Sequence, residues 1–185
     1  RCWSRTARTT SIWTRASKVW SSASATSITS SSTVSTGTWT HIAVSRVNGI
    51  ATLYINGINN GTLSSTSTLD SVSYPLYVGV ERTVAAYTTG YIDDLRITKG
   101  IARYLYNFSP PNAAFYNQGA SSFAAAGTDS YFGQTSLLLH GDGTNAGQNN
   151  TFLDGSTNAF TITRNGNATQ GSFSPFSRAD GYWSN

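Results

Sequence analysis

The sequence predicts an all-β protein built from short strands and turns, and three observations support this. Charged residues make up only 11% of the 185 residues. Ser, Thr and Asn are abundant, and their side chains compete for backbone hydrogen bonds in a way that disfavours long helices. Short segments of alternating apolar and polar residues are separated by turn residues, which is typical of sheets. No apolar run reaches the ~18 residues that a membrane-spanning helix needs.

The best-defined elements form a meander in the first half of the chain. Alternation predicts strands at 39–46, 50–55 and about 58–63. Val47-Asn48-Gly49 predicts a three-residue turn with glycine at positive φ, and Asn56-Gly57 is the strongest two-residue hairpin signal. We therefore expect three antiparallel strands in sequence order.

Further elements follow the meander. Alternating residues predict strands at 74–80 and 91–98, the first preceded by a polar loop and the second by a loop rich in Thr, Ala and Tyr. Residues 101–106 fit either one helical turn or another strand, and Pro110-Pro111 ends any regular element. Beyond a small, polar stretch that is typical of linkers, strands are predicted at 137–140 and 160–164.

Residues 1–33 differ in composition from the rest of the chain. They carry a charge of +5, whereas residues 34–185 sum to −1, and 17 of the 33 are Ser or Thr. A basic segment with Trp3, Trp13 and Trp20 has some features of a nucleic-acid site. The abrupt change in composition favours another hypothesis, that a frame error or unusual junction makes this segment an unfaithful copy of the native sequence. We therefore expect no nucleic-acid partner.

The chain contains no methionine, begins at Arg1 and has one cysteine, Cys2. The first two facts predict a processed product or a fragment. A single cysteine excludes an internal disulfide framework, and Cys2 is read as a passive thiol.

Four stretches of the sequence together resemble one protein family. They are "WTHIAVSR" at 39–46, "ATLYING" at 51–57 and "GYIDDLRITKGIARY" at 90–104, followed by "SLLLHGDGTN" at 136–145. With them, the chain resembles the C-terminal half of a laminin-G-like, concanavalin A-like domain and then the opening of a second. Residues 1–33 are outside the resemblance. Tandem units of this kind are similar to those of bacteriophage tail-fibre and virion surface proteins.

The resemblance implies four parts along the chain. They are an atypical Ser/Thr/Arg-rich segment at 1–33, the C-terminal half of a jelly roll at 34–115, a linker at 116–136, and the opening strands of a second unit at 137–185. The implied fold is an incomplete antiparallel jelly-roll sandwich. Because a sandwich without half of its strands has open sheet edges, we expect either a poorly stable lone fragment or two halves that complement one another.

The resemblance also implies a role. That role is non-enzymatic recognition or adhesion, with carbohydrate as the expected ligand, at a virion surface or outside a cell. The implied partners are a glycan or cell-surface receptor and the other subunits of a fibre or virion, with no membrane insertion. The alternative is a purely structural module that spaces or decorates a virion fibre.

Glycoside hydrolysis is the enzymatic activity that the resemblance most readily implies, but the residues argue against it. The reaction needs two carboxyl groups ~5–10 Å apart across the scissile bond. Glu81 is the only glutamate and lies in a predicted loop. Asp93 and Asp94 are adjacent, so on a regular strand they would point to opposite faces. We therefore predict that the protein is not an enzyme.

The histidines and the oxygen ligands suggest no strong metal or nucleophile site. His41 lies in a predicted half-buried strand, so we interpret it as structural. No Cys and His spacing fits a zinc site, and no Gly-x-Ser-x-Gly motif supplies a nucleophile. Calcium prefers oxygen ligands, which makes a loop site with Glu81 and Asp94 an open alternative. The stretch 142–154 lacks the alternating acids of an EF-hand and is read as a turn-rich loop.

Glycan binding needs a flat apolar face and a few fixed polar groups. The candidate aromatic residues near loops are Tyr87 and Tyr74, and we interpret Trp39 and Tyr91 as core residues. The candidate polar partners are Asn59, Asn60 and Asp70.

The two adjacent acids are assigned by alternation. Asp93 shares parity with Leu95 and Ile97, so we expect a buried structural acid bonded to backbone N–H groups, a Thr hydroxyl, His41 or the Trp39 indole. Asp94 is expected on the exposed face, in a weak ion pair with Arg96.

Overall fold

The computed structural model describes residues 2–9, 18–21, 27–64, 75–80, 87–116, 129–143, 150–171 and 174–176. Within these ranges the regular elements are nearly all strands. They are β1 (Cys2–Thr9), β2 (Lys18–Ser21), β3 (Ser27–Thr29), β4 (Trp39–Val47), β5 (Ile50–Ile55), β6 (Ile58–Ser64), β7 (Gly90–Thr98), a 3-10 helix (Phe132–Gln134) and β8 (Thr135–Leu139). The described part of the chain holds no helix long and apolar enough to cross a membrane.

Six strands form one antiparallel sheet in the order β6-β5-β4-β1-β7-β8, and β2 pairs with β3 in a second sheet. The predicted all-β, antiparallel fold is therefore confirmed. The centre of the large sheet is β1, which comes from the segment of unusual composition and pairs with both β4 and β7. At one edge, β8 pairs with β7, although the resemblance predicts that residues 137–185 open a second unit. The four-part division itself stays a prediction.

The two Asn-Gly turns give the meander its register. Asn48 and Gly49 have φ of 48° and 77°, and Asn56 and Gly57 have φ of 49° and 79°. Positive φ at both central residues is the type I′ geometry whose twist matches that of the flanking strands. The first turn has two residues, not three, because Val47 pairs with Ile50 across it.

One face of the large sheet packs against the small sheet. Val44 lies opposite Leu53 on neighbouring strands. Both are buried in a cluster with Ala51 and with Ile28, which β3 contributes. Full burial of one such aliphatic side chain stabilises the fold by about 1.5–3 kcal/mol. The alternation of β4 and β5 therefore assigns this apolar face correctly.

The opposite face is covered by the irregular segment 101–116. Tyr54 of β5 is 2% exposed and points to this face. Its ring packs edge-on against Phe108 and Tyr104, with centroid distances of 5.4 and 6.4 Å. Residues 101–106 are neither the helical turn nor the strand that the sequence analysis allows. Their conformation follows the packing of these aromatic side chains, which local propensity does not encode.

The side chain of Arg103 joins this segment to the sheet. Its guanidinium group contacts the Asp129 carboxylate at 2.8 Å and donates to the hydroxyl oxygens of Thr98 at 2.8 Å and Thr135 at 3.2 Å. Arg96 of β7 also contacts Asp129, at 3.4 Å. These side chains connect β7, β8 and the covering segment in one polar network.

Two predicted strands are not formed in the described residues. Of 75–80, only Val80 makes a ladder contact, as an isolated bridge to Tyr87. Of 160–164, only Thr161 does so, with Leu153. Pro75 lacks the N–H that a ladder needs, and alternation alone does not supply a neighbouring strand to pair with.

Loops bond to both edges of the large sheet. At β8, the Leu138 N–H donates to the Asp154 carboxylate at 3.0 Å, and the Gly155 N–H donates to the Leu138 carbonyl at 2.8 Å. At β6, the Ser31 N–H donates to the Asn60 carbonyl at 3.0 Å. Such cover prevents edge-to-edge pairing, so the expectation of open edges is wrong at these positions.

Candidate functional site

A cleft of about 430 Å³ opens beside the turn between β5 and β6. It is lined by Tyr54, Asn59, Leu105, Tyr106 and Asn107. Tyr54 is buried, whereas Leu105 is 56% and Tyr106 81% exposed. Large apolar side chains at such exposure beside polar groups mark ligand sites more often than scattered single ones do.

A stacked aromatic pair holds the outer wall of this cleft. The rings of Tyr104 and Phe108 lie 3.7 Å apart and within 8° of parallel. His41, which is 5% exposed, packs edge-on against both rings. Because residues 104 and 108 face inward, the residues between them are turned outward, and Tyr106 is presented to solvent on a fixed base.

The Asn56-Gly57 turn fixes the same wall through the backbone. The Phe108 N–H donates to the Gly57 carbonyl at 2.9 Å. A Cβ atom built on Gly57 would lie only 1.8 Å from the Phe108 carbonyl oxygen. The Asn56-Gly57 turn therefore both connects two strands and contacts the cleft wall at Phe108.

Substituting Gly57 by alanine is expected to lower the free energy of unfolding by about 2–4 kcal/mol, since it adds a backbone clash to the strain of positive φ. Gly37 is the matched control because its φ is +74° and nothing lies within 4 Å of its added Cβ. Gly37→Ala should cost only about 1 kcal/mol. Urea unfolding of both variants measures the difference, and equal costs would contradict the close approach of Phe108.

Two asparagines form the polar rim of the cleft. The Asn59 N–H donates to Oδ1 of Asn107 at 2.9 Å, and the Gly61 N–H donates to Oδ1 of Asn59 at 3.0 Å. Both side chains are otherwise exposed. Planar amides beside an exposed tyrosine ring combine directional hydrogen bonding with a flat apolar face.

The predicted ligand residues are distributed differently. Asn59 lines the cleft, whereas Asn60 is 7% exposed and its Oδ1 accepts hydrogen bonds from Ser30 and Ser31, at 3.4 and 3.2 Å. Asn60 is therefore tied to the chain before β4. Tyr87 is 65% exposed and lies three strands away from β5, just before β7. Tyr74, Asp70 and Glu81 lie outside the described residues.

Sequence reasoning missed Tyr106 and Asn107. In the stretch "RYLYNF", aromatic residues recur at 104, 106 and 108. On a strand all three would share one face, so they gave no sign of exposure. A useful signal is that an Asn follows Tyr106 directly and Pro110 ends the segment, since both favour an irregular backbone.

A second polar cluster lies on β7, away from the cleft. Asp93 and Asp94 are 7% and 1% exposed. Oδ1 of Asp93 accepts the Asp94 N–H at 3.0 Å. The Asp94 carboxylate accepts the Phe115 N–H at 2.8 Å and lies 2.5 Å from Nδ1 of His140. Buried carboxylates need such partners.

The electrostatics of this cluster follow from its burial. Burial raises the pKa of Asp93 to about 6, with the Ser174 hydroxyl opposing the shift and the Asp94 and Asp142 carboxylates adding to it. The hydrogen bond to Asp94 is the main cause of a raised pKa for His140, against the effect of burial. Asp93 is thus bonded to a backbone N–H, as the sequence predicts, and also to the hydroxyl of Ser174. Bonds from a Thr hydroxyl, His41 or the Trp39 indole stay a prediction.

The expectation that Asp94 is a surface acid paired with Arg96 is wrong. Ser4 of β1 pairs with Arg96 of β7, and Thr6 pairs with Asp93. One residue of β1 therefore lies between these two pairs, whereas β7 has two, Asp94 and Leu95. The extra residue is a bulge, and Asp94 has φ of +48°. One inserted residue reverses the alternation beyond it. Arg96 is therefore buried as well, with its guanidinium carbon 3.7 Å above the Phe115 ring.

The calcium proposal is not strengthened by these positions. Both carboxylate oxygens of Asp94 already contact protein groups. Across the described residues, no cluster of three or more His, Cys, Asp or Glu side chains is arranged to hold a metal ion. A calcium site that includes Glu81, which lies outside the described residues, stays a prediction.

Comparison with known proteins now gives the class that this sheet and site belong to. Residues 4–101, just over half of the chain, match the Laminin_G_3 family, described as the concanavalin A-like lectin/glucanases superfamily. The chain belongs to this family. The match begins at residue 4, so the expectation that the resemblance excludes residues 1–33 is wrong. No curated protein and no solved structure matches the chain.

Proposed function

We propose that this protein is a non-enzymatic carbohydrate-recognition module and that the cleft beside the β5–β6 turn is its binding site. The observation that carries the proposal is Tyr106, a tyrosine that is 81% exposed on an anchored segment beside two asparagine amides. The apolar face of a pyranose ring stacks on such a side chain, and amides bond the sugar hydroxyls. Membership of a superfamily that includes lectins supports the same function.

The cleft is open and lies on one side of the sheet, which suits a chain-like glycan on a surface. As a module of a virion or fibre surface, the protein would bind a host glycan or cell-surface receptor through this cleft. The remaining surface would then be available to neighbouring subunits of the particle. This assignment of partners and location rests on the resemblance of the motifs and goes with the proposed function.

A hydrolytic function has less support, because the carboxylates nearest to each other are engaged. Asp93 and Asp94 are buried and bonded, and neither lines the cleft. A glycosidase needs two carboxyl groups facing the scissile bond from opposite sides. The rival function is structural, as a spacer in a fibre. The anchored but exposed Tyr106 favours recognition, since a spacer gains nothing from an apolar ring in solvent.

The test is a glycan array with the full chain, followed by calorimetry on the best ligand. Tyr106→Ala is expected to weaken binding by roughly 10- to 100-fold, the range for one stacking aromatic residue at the centre of a site. The melting temperature should not change by more than about 2 °C, because the side chain is mostly in solvent.

Tyr87→Ala is the matched control, since Tyr87 is also largely exposed but does not line the cleft. Unchanged binding in this control places the site at the cleft. Loss of binding in Tyr87→Ala with none in Tyr106→Ala would move the site to the loop before β7. No binding of any glycan by the wild-type chain would favour the structural role.

A further inference from the structure

The two asparagine side chains of the cleft have hydrogen-bond donors to offer to a ligand. Oδ1 of Asn59 accepts the Gly61 N–H at 3.0 Å, and Oδ1 of Asn107 accepts the Asn59 N–H at 2.9 Å. A backbone N–H can only donate, so the oxygen atom of each amide must be the one that faces it. Each asparagine is thereby oriented, with its Nδ2 group left as the part that it can offer to a ligand.

No described partner takes up these Nδ2 groups. Among the hydrogen bonds of the described residues, each asparagine side chain makes only the one bond through its oxygen. The lining residues that the structure describes include no Asp or Glu. Two amide N–H donor groups therefore belong to a cleft whose described lining includes no carboxylate.

These two amide donors favour acceptors on the ligand, while the Tyr106 hydroxyl can both donate and accept. A sugar hydroxyl can accept a hydrogen bond from these amides, but only as a neutral acceptor. A carboxylate accepts through two oxygens, and N–H bonds to an ionised acceptor are about twice as strong as neutral ones. An uncharged wall adds no repulsion against the anion.

We propose that the ligand of this cleft is an acidic saccharide, whose uronate carboxylate is bound by Nδ2 of Asn59 and Nδ2 of Asn107 while a sugar ring stacks on Tyr106. The inference rests on the proposed carbohydrate-binding function and narrows its ligand class. It assigns specificity to two side chains that also hold their own orientation through the backbone.

The experiment compares trigalacturonic acid with its carboxyl-reduced, neutral counterpart by calorimetry on the full chain. The acidic trisaccharide should bind roughly 10-fold more tightly, as expected for a gain in charge-assisted hydrogen bonds. Asn107→Asp and Asn59→Asp replace each donor group by an acceptor. A carboxylate oxygen still accepts the same backbone N–H, so both variants should keep the wild-type melting temperature.

Each variant should weaken binding of the acidic trisaccharide by at least about 10-fold and change binding of the neutral one by less than about 3-fold. Asn112→Asp is the control for added negative charge, because Asn112 is exposed and lies outside this cleft. It should leave both affinities unchanged. A loss in this control equal to that in Asn107→Asp would overturn the proposal, because net charge would explain it.

Carbohydrate binding at the cleft and its preference for acidic saccharides can be tested separately. If the neutral and acidic trisaccharides bind equally and Tyr106→Ala abolishes both, the carbohydrate site stands and the acidic preference is wrong. If the wild-type chain binds neither trisaccharide nor any other glycan, the proposed function fails and this inference fails with it.

Discussion

Replacing Asp94 with alanine is expected to lower the free energy of unfolding by about 3–5 kcal/mol, the range for removing one partner of a buried pair. The carboxylate is 1% exposed and accepts the Phe115 N–H, while its other oxygen lies 2.5 Å from Nδ1 of His140. Alanine removes the acceptor of the buried Phe115 N–H and the bond to the partly buried His140 imidazole. It also places a residue without a polar side chain at φ of +48°, which adds roughly 1 kcal/mol of strain.

The Asp94→Asn variant is the matched control for this loss. Asparagine tolerates the left-handed region, and its oxygen can still accept the Phe115 N–H while its amide donates to His140. Its cost should therefore be smaller, about 1–2 kcal/mol. Urea unfolding of the full chain measures both variants under the same conditions.

A double-mutant cycle isolates the histidine. If His140→Ala and Asp94→Ala each remove the same interaction, the double variant should be less destabilised than the sum by at least about 1 kcal/mol. An Asp94→Ala cost below about 0.5 kcal/mol would instead match a solvent-exposed acid. That result would contradict the bulge and restore simple alternation along β7.

The hairpins show where sequence reasoning works well. Asn56-Gly57 predicts its turn because few residues other than Asn and Gly accept two consecutive positive φ angles. Once that turn is placed, the period of two assigns the flanking side chains to faces, and Val44 and Leu53 meet in the core as expected. Local chemistry and burial agree in this region, so the prediction needs no tertiary information.

The bulge shows where the same reasoning fails. Nothing in "GYIDDLRI" distinguishes a regular strand from one with an extra residue at Asp94. The bulge exists because β1 and β8 pair with β7 on both sides, and because His140 and the Phe115 N–H bind the turned-in carboxylate. These partners lie far from Asp94 along the chain, and alternation contains no information about them.

Prediction of the cleft residues from the sequence fails for a related reason. Its loop-like surroundings predict Asn59 as a ligand residue, whereas Tyr106 reads as one of three alternating aromatic residues. The exposure of Tyr106 depends on the stacking of Tyr104 on Phe108 and on the docking of Phe108 against Gly57. Tertiary packing overrides local pattern here, as it often does for irregular segments.

Between about pH 4 and 6.5, the stability of the wild-type chain should change little, because two buried groups oppose each other. Burial, with the charge of Arg96, lowers the pKa of His41 from 6.5 to about 4. The unfolded chain then binds a proton that the folded chain does not, so stability is lost as the pH falls. Burial raises the pKa of Asp93 from 3.8 to about 6. Here the folded chain holds the extra proton, so stability is lost as the pH rises.

Each shift corresponds to about 3 kcal/mol across nearly the same pH window. Two single variants should separate the two contributions. In Asp93→Asn, His41 acts alone, and stability should fall by about 3 kcal/mol as the pH is lowered from about 6.5 to 4. In His41→Gln, Asp93 acts alone, and stability should rise by a similar amount as the pH is lowered over the same interval. Above about pH 6.5, loss of the His140 proton should destabilise both variants alike, because the raised pKa of His140 reflects its bond to Asp94.

The measurement is urea unfolding of the wild-type chain and both variants at half-unit steps of pH. Below about pH 4, all three should lose stability together, since Asp129 and Asp154 have lowered pKa values despite their burial, which hydrogen bonds outweigh. Opposite slopes in the two variants, around a nearly flat wild-type profile, are the expected result. A flat profile in either variant would contradict it, because the buried group that this variant retains, His41 or Asp93, would then be solvated in the folded chain.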